Sequence, residues 1–262
     1  MNPIFRWAGS KRQISHLLFE GFPASFERYV EPFCGSASLF FLLEPPQALL
    51  SDINPELTTT YQTIKRNHHK IKEIVESMVD DKDYYNSIRS INPKTLNNIE
   101  RSARFIYLNR LCFNGLYRTN RSGDFNVPYS GNRTRTLEIG NTLKDAALLL
   151  KNTQIECCDF LETIRSTKKG DFAYIDPPYA TKEKGFCEYS ASPFNTSNLQ
   201  TLIKELNRAD KRGVKFLVSY ANCEEIRSLT SKWEIKTIAV RRNISGFSGH
   251  RRFAEEVMIK NY

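Results

Sequence analysis

The run Phe172-Ala173-Tyr174-Ile175-Asp176-Pro177-Pro178-Tyr179 constrains the fold more than any other segment. Four residues of apolar and aromatic β character end in a carboxylate. Two prolines then stop the strand, because each lacks a donor N–H and holds φ at about −65°. A buried strand that ends so abruptly fits the carboxyl edge of an open α/β sheet, where such sheets bind their ligands. Proline also forces extended geometry on the residue before it, so Asp176 and Tyr179 are expected on stiff backbone. The Asp176 carboxylate and the Pro177 carbonyl are two acceptors beside a flat ring. That set suits an exocyclic amino group, each oxygen accepting one N–H while Tyr179 stacks on the base that carries it.

With 262 residues, the chain can bury the core of one ordinary domain and still carry an insertion. Hydrophobic residues make up 40% and charged residues 26%, a globular balance. The 38 Lys and Arg against 29 Asp and Glu leave a formal charge of +9, which favours a polyanionic partner such as nucleic acid. Cys34, Cys112, Cys157, Cys158, Cys187 and Cys223 show neither CxxC spacing nor a companion histidine pattern. Zinc and a disulfide framework are therefore not indicated, no metal is expected, and reduced thiols in the cytoplasm are the default. No apolar run approaches a membrane span, so neither export nor membrane insertion is expected.

Three segments ahead of that strand offer a ligand cradle. In Phe5-Arg6-Trp7-Ala8-Gly9-Ser10-Lys11, the Gly9-Ser10 turn precedes an amphipathic run with Ile14, Leu17 and Leu18, leaving Trp7 and Lys11 free to converge on a ligand. From Arg28 to Phe40, a strand carrying Glu31 runs through Pro32 and Phe33 into the small-residue turn Gly35-Ser36-Ala37-Ser38 and then an apolar helix. Such a turn lets a ligand approach the backbone, and the first N–H groups of the helix are donors. Ala37 breaks the dinucleotide pattern G-x-G-x-x-G, which disfavours a pyrophosphate. Further on, Ala48-Leu49-Leu50 ends at Ser51-Asp52, an acid placed to meet ribose hydroxyls. Ribose without pyrophosphate fits S-adenosylmethionine.

From about 57 to 139 the alternation of a parallel sheet stops. Helical patterns at 57–67, 71–79, 84–91 and 99–111 follow one another, as in an inserted helical domain between catalytic parts 1–56 and 140–262. The insert closes with Asn114-Gly115 and Ser122-Gly123, turn dipeptides around a hairpin, among Arg110, Arg118, Arg121, Arg133 and Arg135 interleaved with aromatics. Guanidinium groups clamp phosphates or read guanine edges, and aromatics wedge where a base leaves its stack. Then come a helix at 143–150 and a strand at 154–157 ending in Cys158-Asp159-Phe160. Beyond Tyr179, residues 181–196 read as a substrate loop. A helix face follows at 199–206, and a strand at 214–218 ends at Ser219-Tyr220. Two strands, 235–240 and 257–259, flank a glycine-hinged loop whose Arg251 and Arg252 suit DNA phosphates.

The pattern Asn109-Arg110-x-x-Phe113-Asn114-Gly115-Leu116-Tyr117-Arg118-x-Asn120-x-x-Gly123-x-Phe125-Asn126-Val127-Pro128 resembles the DNA adenine methyltransferase (Dam) family. Asp176-Pro177-Pro178-Tyr179 is similar to its motif for methylation at adenine N6, and the segments occur in that family's order over essentially the whole chain. The resemblance implies a Rossmann-like class I methyltransferase sheet of α/β type with an inserted, mainly helical target-recognition domain. It implies S-adenosylmethionine as cofactor, double-stranded DNA as partner, a flipped adenine as substrate and GATC as target. It gives Asp176, Pro177, Pro178 and Tyr179 to catalysis. Trp7, Lys11, Glu31, Phe33, Gly35, Ser36, Ala37, Ser38, Asp52, Asp159, Phe160 and Asp176 go to the cofactor. Arg110, Asn114, Arg118, Asn120, Arg121, Asn126, Pro128, Arg133, Arg251 and Arg252 go to DNA. A monomer, encoded by a bacterium or a phage, is expected. Two alternatives stay open: methyl transfer to cytosine N4 or RNA adenine, and a catalytically silent DNA-binding protein. Asp176 at the first motif position favours adenine, and the arginine-rich insert favours duplex DNA.

Overall fold

Seven short runs of β-formers assemble into one sheet. They are β1 (Arg28–Glu31), β2 (Ala48–Asp52), β3 (Thr153–Cys157), β4 (Asp171–Ile175), β5 (Lys215–Ala221), β6 (Glu234–Arg242) and β7 (Arg252–Lys260). The structure, a computed structural model, describes residues 1, 3–120, 122–130, 136–180, 194–242 and 252–262. The strand order is β3-β2-β1-β4-β5-β7-β6. The pairs among β1 to β5 are parallel, whereas β7 runs antiparallel between β5 and β6. The chain builds outward from β1 to β3, then returns to add β4 on the other side of β1. The two strands that meet at this reversal end in Glu31 and Ile175. Their carboxyl ends open a crevice, and Asp176 stands at its rim.

Alternate strand residues enter different cores, as period-2 geometry requires. Tyr29, Leu50, Phe172, Tyr174 and Leu217 pack on one face, and Val30, Leu49, Ala173, Ile175 and Val218 on the other. With both faces covered, the strands read as nearly continuous apolar runs. The helices are α1 (Ser15–Glu20), α2 (Ser38–Leu43), α3 (Pro55–Ser77), α4 (Lys82–Ser90), α5 (Asn98–Leu111), α6 (Gly140–Leu150), α7 (Phe160–Arg165), α8 (Thr196–Lys211) and α9 (Glu224–Leu229). On α8, Leu199, Leu202 and Leu206 cover the second face.

The two helical patterns expected at 57–67 and 71–79 form the single helix α3, broken locally at Asn67, where φ is −138°. Asn54 caps it by accepting from the N–H groups of Glu56 at 3.0 Å and Leu57 at 3.3 Å, with Pro55 in the first turn. Leu57, Tyr61, Ile64 and Ile71 join the first sheet core, and Gln62 donates to the Ile155 carbonyl of β3 at 2.8 Å. Residues 57–77 thus pack with the sheet. The segment beyond them has its own small core of Tyr85, Tyr107, Leu108, Leu111 and Val127. Its hairpin forms where the turn dipeptides predict it. Asn126 N–H donates to the Arg118 carbonyl at 3.0 Å, and Thr119 bridges Phe125 antiparallel. Most of the expected 181–196 loop lies outside the described residues. Among the described residues, no helix is long and apolar enough to cross a membrane.

Candidate active site

Asp176 leaves the sheet at the end of β4 with its two oxygens in different situations. Oδ1 accepts from Ser219 Oγ at 3.0 Å and lies 3.2 Å from Lys11 Nζ. The Tyr174 hydroxyl, 2.7 Å from Ser219 Oγ, extends this chain. Oδ2 has no such partner among the described residues, and the side chain keeps 19% of its surface exposed. Burial raises the Asp176 pKa; Lys11 opposes this without cancelling it. Lys11 is itself buried, which favours loss of its proton, yet the carboxylates of Asp176 and Glu256 prevail and hold its pKa above the usual lysine range. Glu256 on β7 is 3% exposed and sits 3.3 Å from Lys11 Nζ. It also accepts from the Tyr179 hydroxyl at 2.7 Å. The Tyr179 ring meets Tyr220 edge-on at 5.3 Å, and Ala180 N–H donates to the Tyr220 hydroxyl at 2.7 Å. Burial and Glu256 push the Tyr179 phenol up to about 12 against the pull of Lys11.

The cradle lies on the same edge. Gly35 has φ +44°, and a Cβ there would stand 2.7 Å from Trp7 Cδ1. This position therefore needs glycine for both conformation and space. Asp52 braces the turn: Oδ2 accepts from Gly35 N–H at 3.0 Å and Oδ1 from Asn54 N–H at 2.9 Å. The Tyr61 hydroxyl donates to the Gly35 carbonyl at 3.0 Å, and Ser36 Oγ approaches Ser10 Oγ at 3.4 Å. Ala37 takes the left-handed conformation just before Ser38 opens α2. Glu31 accepts from the Tyr29 hydroxyl at 3.0 Å. Burial raises its pKa well above the usual carboxylate range, with the Asp176 and Asp52 charges adding to the effect. Phe33 stacks on Phe160 at 5.1 Å and meets Phe194 edge-on at 6.1 Å. Asp159 caps α7, accepting from Leu161 N–H at 2.9 Å.

In the insert, several residues expected at DNA are engaged within the protein. Arg110 donates to the Thr136 carbonyl at 2.9 and 2.6 Å. Arg118 donates to Asn126 Oδ1 at 2.8 Å. Asn120 Oδ1 accepts from Ser122 and Asp124 N–H, each at 2.9 Å. Asn114 adopts φ 55°, and the Pro128 carbonyl accepts from Phe113 N–H at 2.9 Å. Arg121, Arg133 and Arg251 lie outside the described residues, and Arg252 opens β7.

Three residues at or near the site received no role from the sequence, although Asn109 opens the family pattern and Ser219 ends a predicted strand. Ser219 and Glu256 both touch the cluster of Asp176, Lys11 and Tyr179, and only a glutamate placed against Val257-Met258-Ile259 hints at the second. Asn109 joins the amino-terminal segment to the insert: its Oδ1 accepts from Arg6 N–H at 3.0 Å, and its Nδ2 donates to the Arg6 carbonyl at 2.9 Å and the Gly115 carbonyl at 3.3 Å. Trp7 continues this junction by stacking on Tyr117 at 5.6 Å. A cleft of about 390 Å³, lined by Arg28, Lys65, Lys151 and Lys168, lies at the opposite edge of the sheet. It contains none of these groups.

Residues 7–244 match the family of D12 class N6 adenine-specific DNA methyltransferases. The chain is 32% identical to the type II methyltransferase M.MjaIII of Methanocaldococcus jannaschii, an alignment covering 100% of this chain and 99% of that protein. It is 30% identical to the retron Ec67 DNA adenine methylase of Escherichia coli, over 98% and 90% of the two chains. Identity to the DNA adenine methylase of Haemophilus influenzae is also 30%, over 93% and 87%.

Proposed function

The chain belongs to the D12 class of N6 adenine-specific DNA methyltransferases, and from that premise we propose that it methylates N6 of an adenine flipped out of duplex DNA, within GATC, using S-adenosylmethionine. The divided carboxylate of Asp176 carries this reading. Oδ1 is held by Ser219 and Lys11, which leaves Oδ2 to accept one N–H of an amino group. The Pro177 carbonyl would accept the other. Adenine N6 is a poor nucleophile because its lone pair is delocalised into the ring; two acceptors drawing on its N–H bonds favour a more tetrahedral nitrogen. Flipping costs a few kcal/mol, offset by stacking on Tyr179 and by contacts from the insert.

The residues around the glycine turn suit the cofactor. Asp52 carries one N–H on each oxygen, and its remaining lone pairs can accept ribose hydroxyls. Phe33 and Phe160 would line the adenine, with Asp159 beside its amino group, while Trp7, Glu31 and Gly35 to Ser38 border the methionine side. S-Adenosylmethionine, when bound, supplies an electrophilic methyl group on a sulfonium. Target recognition is assigned to the 57–139 insert, chiefly the part beyond α3. There Arg118 and Asn126 shape the hairpin on which Arg121 stands in sequence.

Methylation of a plasmid by the purified chain, followed by base-resolved sequencing, tests the proposal. N6-methyladenine confined to GATC is expected. N4-methylcytosine, or another adenine context, would overturn the substrate or the target respectively.

A further inference from the structure

We propose that Glu256 is a positioning residue for methyl transfer: it fixes the Tyr179 ring and draws Lys11 between two carboxylates, so that the Asp176 carboxylate beside the reacting nitrogen is not neutralised by Lys11 alone. This inference rests on the reading of Asp176 and Tyr179 given above.

One carboxylate would suffice for Lys11, whose Nζ is 3.2 Å from Asp176 Oδ1. A second, Glu256, approaches to 3.3 Å and is almost fully buried. Burying an extra carboxylate is costly. The strand does not require one, since β7 continues with Val257 and Ile259, both fully enclosed. What Glu256 adds is local. Its Oε1 takes the Tyr179 phenol at 2.7 Å, which helps orient a half-buried ring that also meets the edge of Tyr220 and has Lys11 Nζ 5.6 Å from its centroid. It also shares the Lys11 charge, so Asp176 does not hold the ammonium alone. As the methyl group moves, positive charge passes to N6, and a fixed negative charge next to it favours that step.

The pH dependence distinguishes this role from a merely structural one. Among the described residues, the charged or titratable groups about Asp176 include Lys11 from the first turn, Glu31 from β1, Tyr174 from β4, Tyr179 after it and Glu256 from β7. Removing the Glu256 charge takes away a like charge, so Asp176 ionises at lower pH and the acid limb of the rate moves down. Water admitted by a loss of packing would lower it too, because burial raises the Asp176 pKa, so the charge-keeping variant Glu256→Asp, in which the limb should stay in place, separates the two roles.

The test uses the full chain, a duplex with one target adenine and single-turnover methylation across pH. Glu256→Gln should slow the step tenfold or more, change DNA affinity less than twofold and shift the acid limb to lower pH. Glu255→Gln, an exposed neighbour bound to Asn222, should behave as wild type. Addition of Tyr179→Phe to Glu256→Gln should cost less than it does alone, because the two share a hydrogen bond. If Glu256→Gln does not fold, Glu256→Asp keeps the charge one methylene short, and should slow the step with the acid limb unmoved. A wild-type rate with an unmoved limb in Glu256→Gln, or a wild-type rate in Glu256→Asp, overturns the proposal while leaving the adenine reading intact. A wild-type chain that methylates no adenine overturns both.

Discussion

The chemistry turns on a few atoms, and the residue most exposed to test is Asp176. Asp176→Ala should abolish methyl transfer and leave duplex affinity within a few fold, because the carboxylate serves an amino group and not a phosphate; single-turnover assays beside binding isotherms check this. Asp52 braces the glycine turn and is the proposed ribose acceptor. Asp52→Ala should raise the dissociation constant of S-adenosylmethionine by roughly tenfold or more, the loss of a charge-assisted hydrogen bond worth about 1.5–3 kcal/mol. Unchanged affinity by calorimetry would leave Asp52 as a brace alone. Asp176 and Asp52 stood out in the sequence because each ends an apolar run; that Asp52 also braces the Gly35 turn follows only from the fold. Glu256 did not stand out, since its partner Lys11 lies 245 residues away and no local pattern encodes such a meeting.

Elements were legible to the extent that they depend on local periodicity. The expected strand at 154–157 and helix at 99–111 appear as β3 and α5 to within a residue or so. The fused α3 and the placement of β7 between β5 and β6 did not follow from periodicity, because hydrophobic spacing specifies a face and not a neighbour. The glycine turn is a compact test of an element: Gly35→Ala meets both a left-handed φ and the Trp7 ring, and should destabilise the chain by about 1–3 kcal/mol in chemical denaturation. A second lies where α7 meets α8. Buried Glu205 of α8 accepts from Arg208 at 2.8 Å and from Arg165 of α7 at 3.4 Å. Burial alone would raise its pKa, but these hydrogen bonds more than reverse that and hold it below the usual value. Its folded pKa is therefore depressed. The clasp contributes fully above the unfolded glutamate value of about 4.3 and is lost as pH falls through the folded one. Glu205→Gln should lower stability at pH 7 and flatten the acid side of the stability profile, as denaturant melts from pH 7 to pH 3 would show.

At the scale of the whole molecule, the order of motifs made the family legible, whereas the surface groups proposed to meet DNA rest on charge alone and remain degenerate in sequence. With a formal charge of +9, affinity for any duplex should fall steeply with salt. Arg251→Ala should lower the slope of log affinity against log salt by about one unit and weaken all sequences alike. Arg121→Ala should cost about 1–3 kcal/mol for the cognate duplex only. The reverse pattern in titrations of cognate and one-base-variant duplexes would exchange the two roles. The amino-terminal segment bears on a different quantity. Trp7 rests against the glycine turn on one side and Tyr117 on the other, and Asn109 ties Arg6 to Gly115. These contacts join the turn to the base of the hairpin, so a molecule that settles the first is expected to settle the second. Thermodynamic linkage makes that reciprocal: whatever factor the methyl donor adds to the affinity for DNA, DNA must add to the affinity for the donor, and Asn109→Ala should pull both factors toward one.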